Sequence, residues 1–227
     1  LDLATAFRSA PNLARRRVQL LLASQRWEDA AEQYDQLLEQ FPNDHGLRYR
    51  RTCLGLLVDD EGEYQTACEE MMRRLGKTQK PYLADWASKV ALILPKPPGD
   101  LQKLDQLAVL AAAKGTESQY YFYFRLNRGM AHYRSGRYKH CKDWFNGTIQ
   151  TSSERGFPFC TAISHAFLAM AHAQLNEQDE AEDHLKRAQK LLNSTQLEDY
   201  SQGDHWIDWI MARRAVREAS DFLSQKL

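Results

Sequence analysis

Long apolar runs are missing from this chain: nothing in its 227 residues approaches the roughly 20 consecutive apolar residues needed to cross a bilayer. Net charge is missing as well. Thirty basic and thirty acidic side chains cancel, so no global field draws the chain to nucleic acid or to an anionic membrane surface, and neither is expected as a partner. Cysteine is scarce, and Cys53, Cys68, Cys141 and Cys160 form no C-x-x-C pair. Each falls in an apolar helical stretch where a small buried residue serves, which argues for structural thiols over a redox or metal site. There is no G-x-S-x-G, no glycine-rich phosphate loop and no H-E-x-x-H, so the serines, histidines and aspartates have no local catalytic organisation. No cofactor is implied. The opening Leu1-Asp2-Leu3-Ala4 lacks the charged and apolar regions of a signal peptide. A cytoplasmic location is therefore expected, and a start on leucine instead of methionine points to a piece of a longer protein.

What the chain does have is an ordinary globular composition, 43% hydrophobic and 26% charged, and a pattern that recurs four times. Val18, Gln25, Trp27 and Ala30; Gly55, Gly62, Tyr64 and Ala67; Gly129, Gly136, Tyr138 and Cys141; and Ala169, Asn176, Gln178 and Ala181 all keep the same spacing of seven, two and three residues. Around each set the apolar residues recur at helical intervals. Leu13, Val18, Leu21 and Leu22 precede the first turn, and Ala30, Ala31, Tyr34, Leu37 and Leu38 follow it. Pro42-Asn43-Asp44 then stops the second helix, so the first pair of helices is expected over 11–41.

The second pair is expected over about 47–75, with Gly62 at its turn and Gly76-Lys77-Thr78 after its end. The distance from Ala67 to Cys141 is twice that from Ala30 to Ala67, so a further pair belongs between them. The segment 80–115 supplies it in degenerate form: Leu83, Trp86, Ala87, Val90 and Leu94 lie on one helical side, Pro95-Lys96-Pro97-Pro98-Gly99 forbids helix, and Leu101 to Lys114 resumes it. A fourth pair is expected over 118–152 and a fifth over 159–192. After a polar stretch, Trp206, Ile207, Trp209, Ile210, Ala212 and Val216 announce one more helix, which is expected to cap the array. The expected organisation is a lead-in over 1–10, an array over 11–192, and a linker with a capping helix over 193–227.

The spacing of small residues, turns and alanines resembles the tetratricopeptide repeat, a helix-turn-helix unit of about 34 residues. That resemblance implies an all-α fold of about five stacked hairpins in a right-handed superhelix, and a non-catalytic protein-binding scaffold as its function. Close helix crossing accounts for the small residues Gly55, Gly129 and Ala169 in first helices and Ala30, Ala67, Cys141 and Ala181 in second helices. Trp27, Tyr64 and Tyr138 open the second helices as wedges between neighbouring hairpins. Arg17, Arg51 and Arg128 depart from the family's apolar pattern. The run from Leu126 to Tyr138, the proline-rich middle and the Trp206-to-Trp209 helix are similar to the C-terminal repeat regions of large planctomycete-type bacterial proteins. There such arrays follow a serine/threonine kinase domain or β-propeller repeats.

In the resembling folds the first helices line a groove that takes a protein or peptide. Here that wall is expected to present Tyr123, Leu126, Met130, Tyr133 and Arg134, then Ile163, Ala166, Met170 and Gln174. The alternative is that these side chains pack between repeats. Two further alternatives for the whole chain are a regulatory or substrate-selecting region of a larger enzyme such as a kinase, and a self-association or spacer module whose groove is filled by the chain itself. The carboxylate clamp of the chaperone-binding branch is not matched, since Gln19, Thr52 and Leu56 stand where its polar and basic groups belong. His165 and His172, two helical turns apart, suggest a metal site with His132 or His140, but His132 and His172 hold equivalent repeat positions, which fits recurrent packing. The basic Arg15, Arg16, Arg17 and Arg26 read as a solvated helix face. The acceptor-like triplets at Asn146 and Asn193 read as coincidence.

Overall fold

A computed structural model describes residues 16–57, 61–194 and 204–226. Every regular element among them is a helix, as the periodicity predicts. In chain order these are α1 over 16–23, α2 (Trp27–Gln40), α3 (His45–Leu54), α4 (Glu61–Leu75), α5 (Pro81–Leu92), α6 (Leu101–Lys114), α7 (Tyr121–Arg134), α8 (Tyr138–Glu154), α9 (Pro158–Gln174), α10 (Gln178–Asn193) and α11 (His205–Ser224). Leu13, Arg15, the lead-in over 1–10 and the linker residues 195–203 lie outside the described residues.

The helices form two layers. From α2 onward each helix packs on the next through α10; α3, α5, α7 and α9 also pack side by side, while α4, α6, α8 and α10 sit behind them. The starts follow local chemistry. Asp44 and Asp100 cap α3 and α6 through their carboxylates, which accept from the backbone N–H groups of Leu47 at 3.0 Å and Gln102 at 2.9 Å. Pro81 and Pro158 open α5 and α9 in the first turn, where no backbone donor is needed.

The turn position of the repeated pattern has a single conformation in three of its four copies. Gln25, Gly136 and Asn176 adopt left-handed backbone angles, with φ of 55°, 71° and 61°. In each the next residue's N–H reaches back five residues, Arg26 to Leu21, Arg137 to His132 and Glu177 to His172, at 2.9 to 3.0 Å. This is the hydrogen bond that closes a helix end onto a left-handed residue. The second copy differs: α3 stops at Leu54 and Gly55 follows it, while Gly62 lies in the first turn of α4 and not in the turn before it.

Gly129 justifies its lack of a side chain. It lies inside α7, where a Cβ would stand 2.6 Å from Cε1 of the buried Phe145 ring on α8. A Cβ on Gly55 would meet Tyr64 Cδ2 at 3.2 Å. Ala30, Cys141, Ala169 and Ala181 are fully buried at the corresponding crossings, whereas Ala67 is half-buried. Tyr64 is buried and its hydroxyl donates to the Val90 carbonyl at 2.7 Å, while Trp27 and Tyr138 are half-buried. All four cysteines are buried and free. Burial pushes the Cys68 and Cys141 thiols up to about 12, and those of Cys53 and Cys160 higher still, which leaves them inert.

The terminal helix does more than cover one end. At its C-terminal part Leu223 packs with Ala173 and Ala181 of the last hairpin. A helix of 20 residues is about 30 Å long, and the first half of α11 runs back across the first-helix layer to α3.

Candidate functional site

The face made by the first helices is the surface on which function is expected, and α11 lies on it. Contacts along its whole length hold it there. Trp209 stacks on Trp27 of α2 with ring centres 6.3 Å apart. Asp204, just before the helix, accepts a two-point hydrogen bond from Arg50 of α3, at 2.6 and 2.7 Å. Asp208 accepts from the hydroxyl of Tyr123 on α7. Glu218 Oε2 accepts from Arg134 Nη2, also on α7, at 2.7 Å. Just past its end Lys226 donates to the Ala173 carbonyl of α9 at 2.8 Å.

Arg134 is the most deeply engaged of these. It also donates through Nε to the Leu92 carbonyl at 2.9 Å and through Nη2 to the Ile93 carbonyl at 3.1 Å, satisfying acceptors left open where α5 ends. Its guanidinium lies 4.9 Å from the centre of the Phe167 ring. One side chain thus ties α5, α7, α9 and α11 together.

A second polar cluster lies under the first turn of α11. Asp85 and Lys89 stand four residues apart on α5 and form a buried ion pair at 2.7 Å. Burial acts to lower the Lys89 pKa, but the charge and hydrogen bond of Asp85 outweigh it, so the ammonium is held above its ordinary range and stays charged. Lys89 Nζ also sits 4.7 Å over the Tyr123 ring. Burial pushes the Asp208 carboxyl up to about 6, against the Tyr123 hydrogen bond and the Lys89 charge. Burial, then Asp208, keep the Tyr123 hydroxyl protonated far above the usual range.

Of the residues expected to line the groove, the structure brings Tyr123 and Arg134 into direct contact with α11. Leu126, Met130, Ile163, Ala166 and Met170 are buried in the common core. Tyr133 is buried between hairpins, its ring centre 5.5 Å from Tyr138 and 5.3 Å from Phe167. His165 and His172 meet neither His132 nor His140. Both face His184 of α10, with ring centres 5.0 and 5.1 Å apart, and His172 Nδ1 lies 2.6 Å from Glu177. Among the described residues no three or more His, Cys, Asp or Glu are placed to hold a metal ion. The arginines that depart from the apolar pattern pair with the preceding helix, Arg51 with Asp35 at 2.9 Å and Arg128 with Asp105 at 2.5 Å, and Arg17 is exposed. Sequence reasoning missed Asp208, Glu218, Asp85 and Lys89. One signal was available: α9 is apolar on all sides and is buried from Phe159 to Ala173, so something had to cover its outward face.

The fold and this face define an all-α array of helical hairpins with its terminal helix laid across the first-helix layer. Residues 11–52 match a tetratricopeptide repeat model. Two solved MamA chains align with the chain: the MSR-1 C2 form, 16% identical, covering 82% of this chain and 98% of that one with a TM-score of 0.48, and a MamA mutant, 16% identical, covering 82% and 99% with a TM-score of 0.46. No curated protein matches it by sequence. No described helix is long and apolar enough to cross a membrane.

Proposed function

We propose that this chain is a non-catalytic protein-interaction scaffold whose first-helix face receives one helix of a partner, in the place that α11 occupies at rest. The observation that carries this reading is the seating of α11 itself. An amphipathic helix from the far end of the chain lies across successive first helices and is held at separate polar points by Arg50, Tyr123 and Arg134. A face that accepts one such helix by an apolar stripe flanked by carboxylates accepts another of the same pattern. The partner helix would carry carboxylates spaced like Asp208 and Glu218, ten residues apart on α11. If a catalytic domain precedes the array in a longer protein, as the planctomycete-type resemblance implies, the same face would select that domain's substrates or regulators.

The test is a full chain with a protease site introduced within 195–203. After cutting, a labelled synthetic peptide of residues 204–226 should exchange into the array saturably, and versions carrying Asp208→Ala or Glu218→Ala should compete more weakly. A cut array that unfolds, or one that admits no added peptide, would show that α11 is a core helix and not an exchangeable occupant.

A further inference from the structure

Where α11 begins, the first-helix face is left open. A cleft of about 490 Å³ lies between α3, α5, α7, the residue before α9 and the first turn of α11. Its volume falls in the range of sites that take small ligands or single side chains with their flanks. One wall is aromatic: Tyr49 stacks on Trp86 at 5.0 Å with planes 8° apart, and Tyr82 meets Trp86 edge-on at 5.4 Å. Across the cleft stands Tyr120, 6.3 Å from Tyr123. Tyr82 and Tyr120 are 44% and 47% exposed, two of only five large apolar side chains so exposed among the described residues. Both line the cleft, so two exposed rings flank its opening.

The charges beneath the rings do not balance. Of the side chains that line the cleft, Lys89 is the one permanent cation against the carboxylates of Asp85, Asp204 and Asp208; Lys89 pairs with Asp85, and Asp204 pairs with Arg50 outside the cleft, which leaves Asp208 without a cation in direct contact. Asp85 lies on the floor at 2% exposure with its Oδ1 lacking any hydrogen-bond partner. Lys89 answers the other oxygen, Oδ2, at 2.7 Å, and a buried carboxylate oxygen left without a donor is costly.

We propose that this cleft binds a basic side chain of a partner peptide, arginine in the first place. Aromatic faces attract cations through the negative potential of the ring, and Lys89 over Tyr123 already displays that mode within the cleft. A planar guanidinium stacks on tyrosine or tryptophan and presents a fork of donors to a carboxylate, which an ammonium cannot do. The surplus negative charge selects a cation over a neutral group of the same shape. Because Asp204, His205, Ile207 and Asp208 form one wall, the cleft exists with α11 seated, so this inference goes beyond the groove reading and stands or falls separately from helix exchange.

The test uses the intact chain and the blocked tripeptide acetyl-Gly-Arg-Gly-amide, with the citrulline version as its neutral isostere. Calorimetry or NMR titration should show saturable one-site binding of the arginine peptide, with the citrulline peptide about tenfold weaker or more. Tyr82→Ala and Tyr120→Ala, both on the exposed rim, should each weaken the arginine peptide several-fold and leave the melting temperature unchanged. Equal binding of the two peptides, no saturation at all, or full affinity in both rim variants would overturn the proposal.

Discussion

Arg134 of α7 and Glu218 of α11 meet as a buried ion pair, their side chains 4% and 12% exposed, although 84 residues separate them in the chain. The pair costs desolvation, and only its geometry and the two carbonyls that Arg134 also satisfies make it favourable. Removing one partner leaves a buried charge and unpaired acceptors. Arg134→Ala should therefore lower stability by about 3 kcal/mol or more, and Glu218→Ala by less, since the arginine keeps its carbonyl partners. Chemical denaturation of the two single variants and the double variant measures the coupling, and strict additivity would show that the two side chains act independently.

Gly129 provides a second test. With Phe145 standing 2.6 Å from where a Cβ would lie, even Gly129→Ala has to move a fully buried ring. It should cost about 1 to 3 kcal/mol despite alanine's better helix propensity, and Gly129→Leu more. Thermal or denaturant unfolding checks the order, and an alanine variant more stable than the parent would mean that α7 and α8 have room to part.

The turns provide a third. Gln25 holds a left-handed conformation at the position where Gly136 and Asn176 stand in other repeats. Gln25→Gly should stabilise by up to about 1 kcal/mol, because glycine bears that conformation without steric strain. Gly136→Ala should cost about as much, although nothing beyond the adjoining residues of the chain lies within 4 Å of the added methyl. Opposite signs for the two substitutions, measured by melting temperature, are the expected outcome.

Acid should act on the fold through two opposed sets of groups. Burial first, then neighbouring cations, hold His132, His165 and His184 down to about 4. The unfolded chain protonates these imidazoles near 6.5, so stability is lost as the pH falls from there toward 4. Asp208 works the other way. It faces Tyr123, Lys89, Asp204, His205, Cys160 and Tyr49, and its carboxyl is raised to about 6. The folded chain takes up this proton first, so Asp208 adds stability as the pH drops from about 6 to 4. Asp208→Asn removes that gain. Relative to the parent, the variant should do best near pH 7.5 and lose ground on acidification, by roughly 3 kcal/mol at most. Paired denaturation curves at several pH values check this, and a difference that does not vary with pH would show that Asp208 titrates as an exposed carboxylate.

Much of the array is legible in the sequence because hairpin-forming signals are local. The bounds of α6 follow from the proline run before it and the glycine after it, and the small residue at 129 follows from the close passage of the next helix in the chain. Gly62 shows where local reading fails: α3 ends early, at Leu54, so the motif's turn position falls inside the next helix. Tyr123, Tyr133 and Arg134 share α7, yet Tyr123 and Arg134 find their partners on α11, while Tyr133 turns toward the next hairpin. No periodicity distinguishes these fates, since all three residues are expected on one wall.

The sequence by itself determined that the chain is a stack of helical pairs, with turns at Gln25, Gly136 and Asn176 and buried small residues at the crossings, because each of these depends on neighbours within about one hairpin. It also determined that one more amphipathic helix, carrying Trp206, Ile207, Trp209, Ile210, Ala212 and Val216, follows the last pair. Only the tertiary structure decided where that helix lies. An apolar stripe states that a face is to be buried and not against what, and α11 found two candidates: the edge of the last hairpin and the first-helix face. It takes both, because the carboxylates of Asp204, Asp208 and Glu218 reach Arg50, Tyr123 and Arg134 only when the helix crosses that face. Those pairings are polar, long-range and specific to distance, which a one-dimensional pattern does not encode.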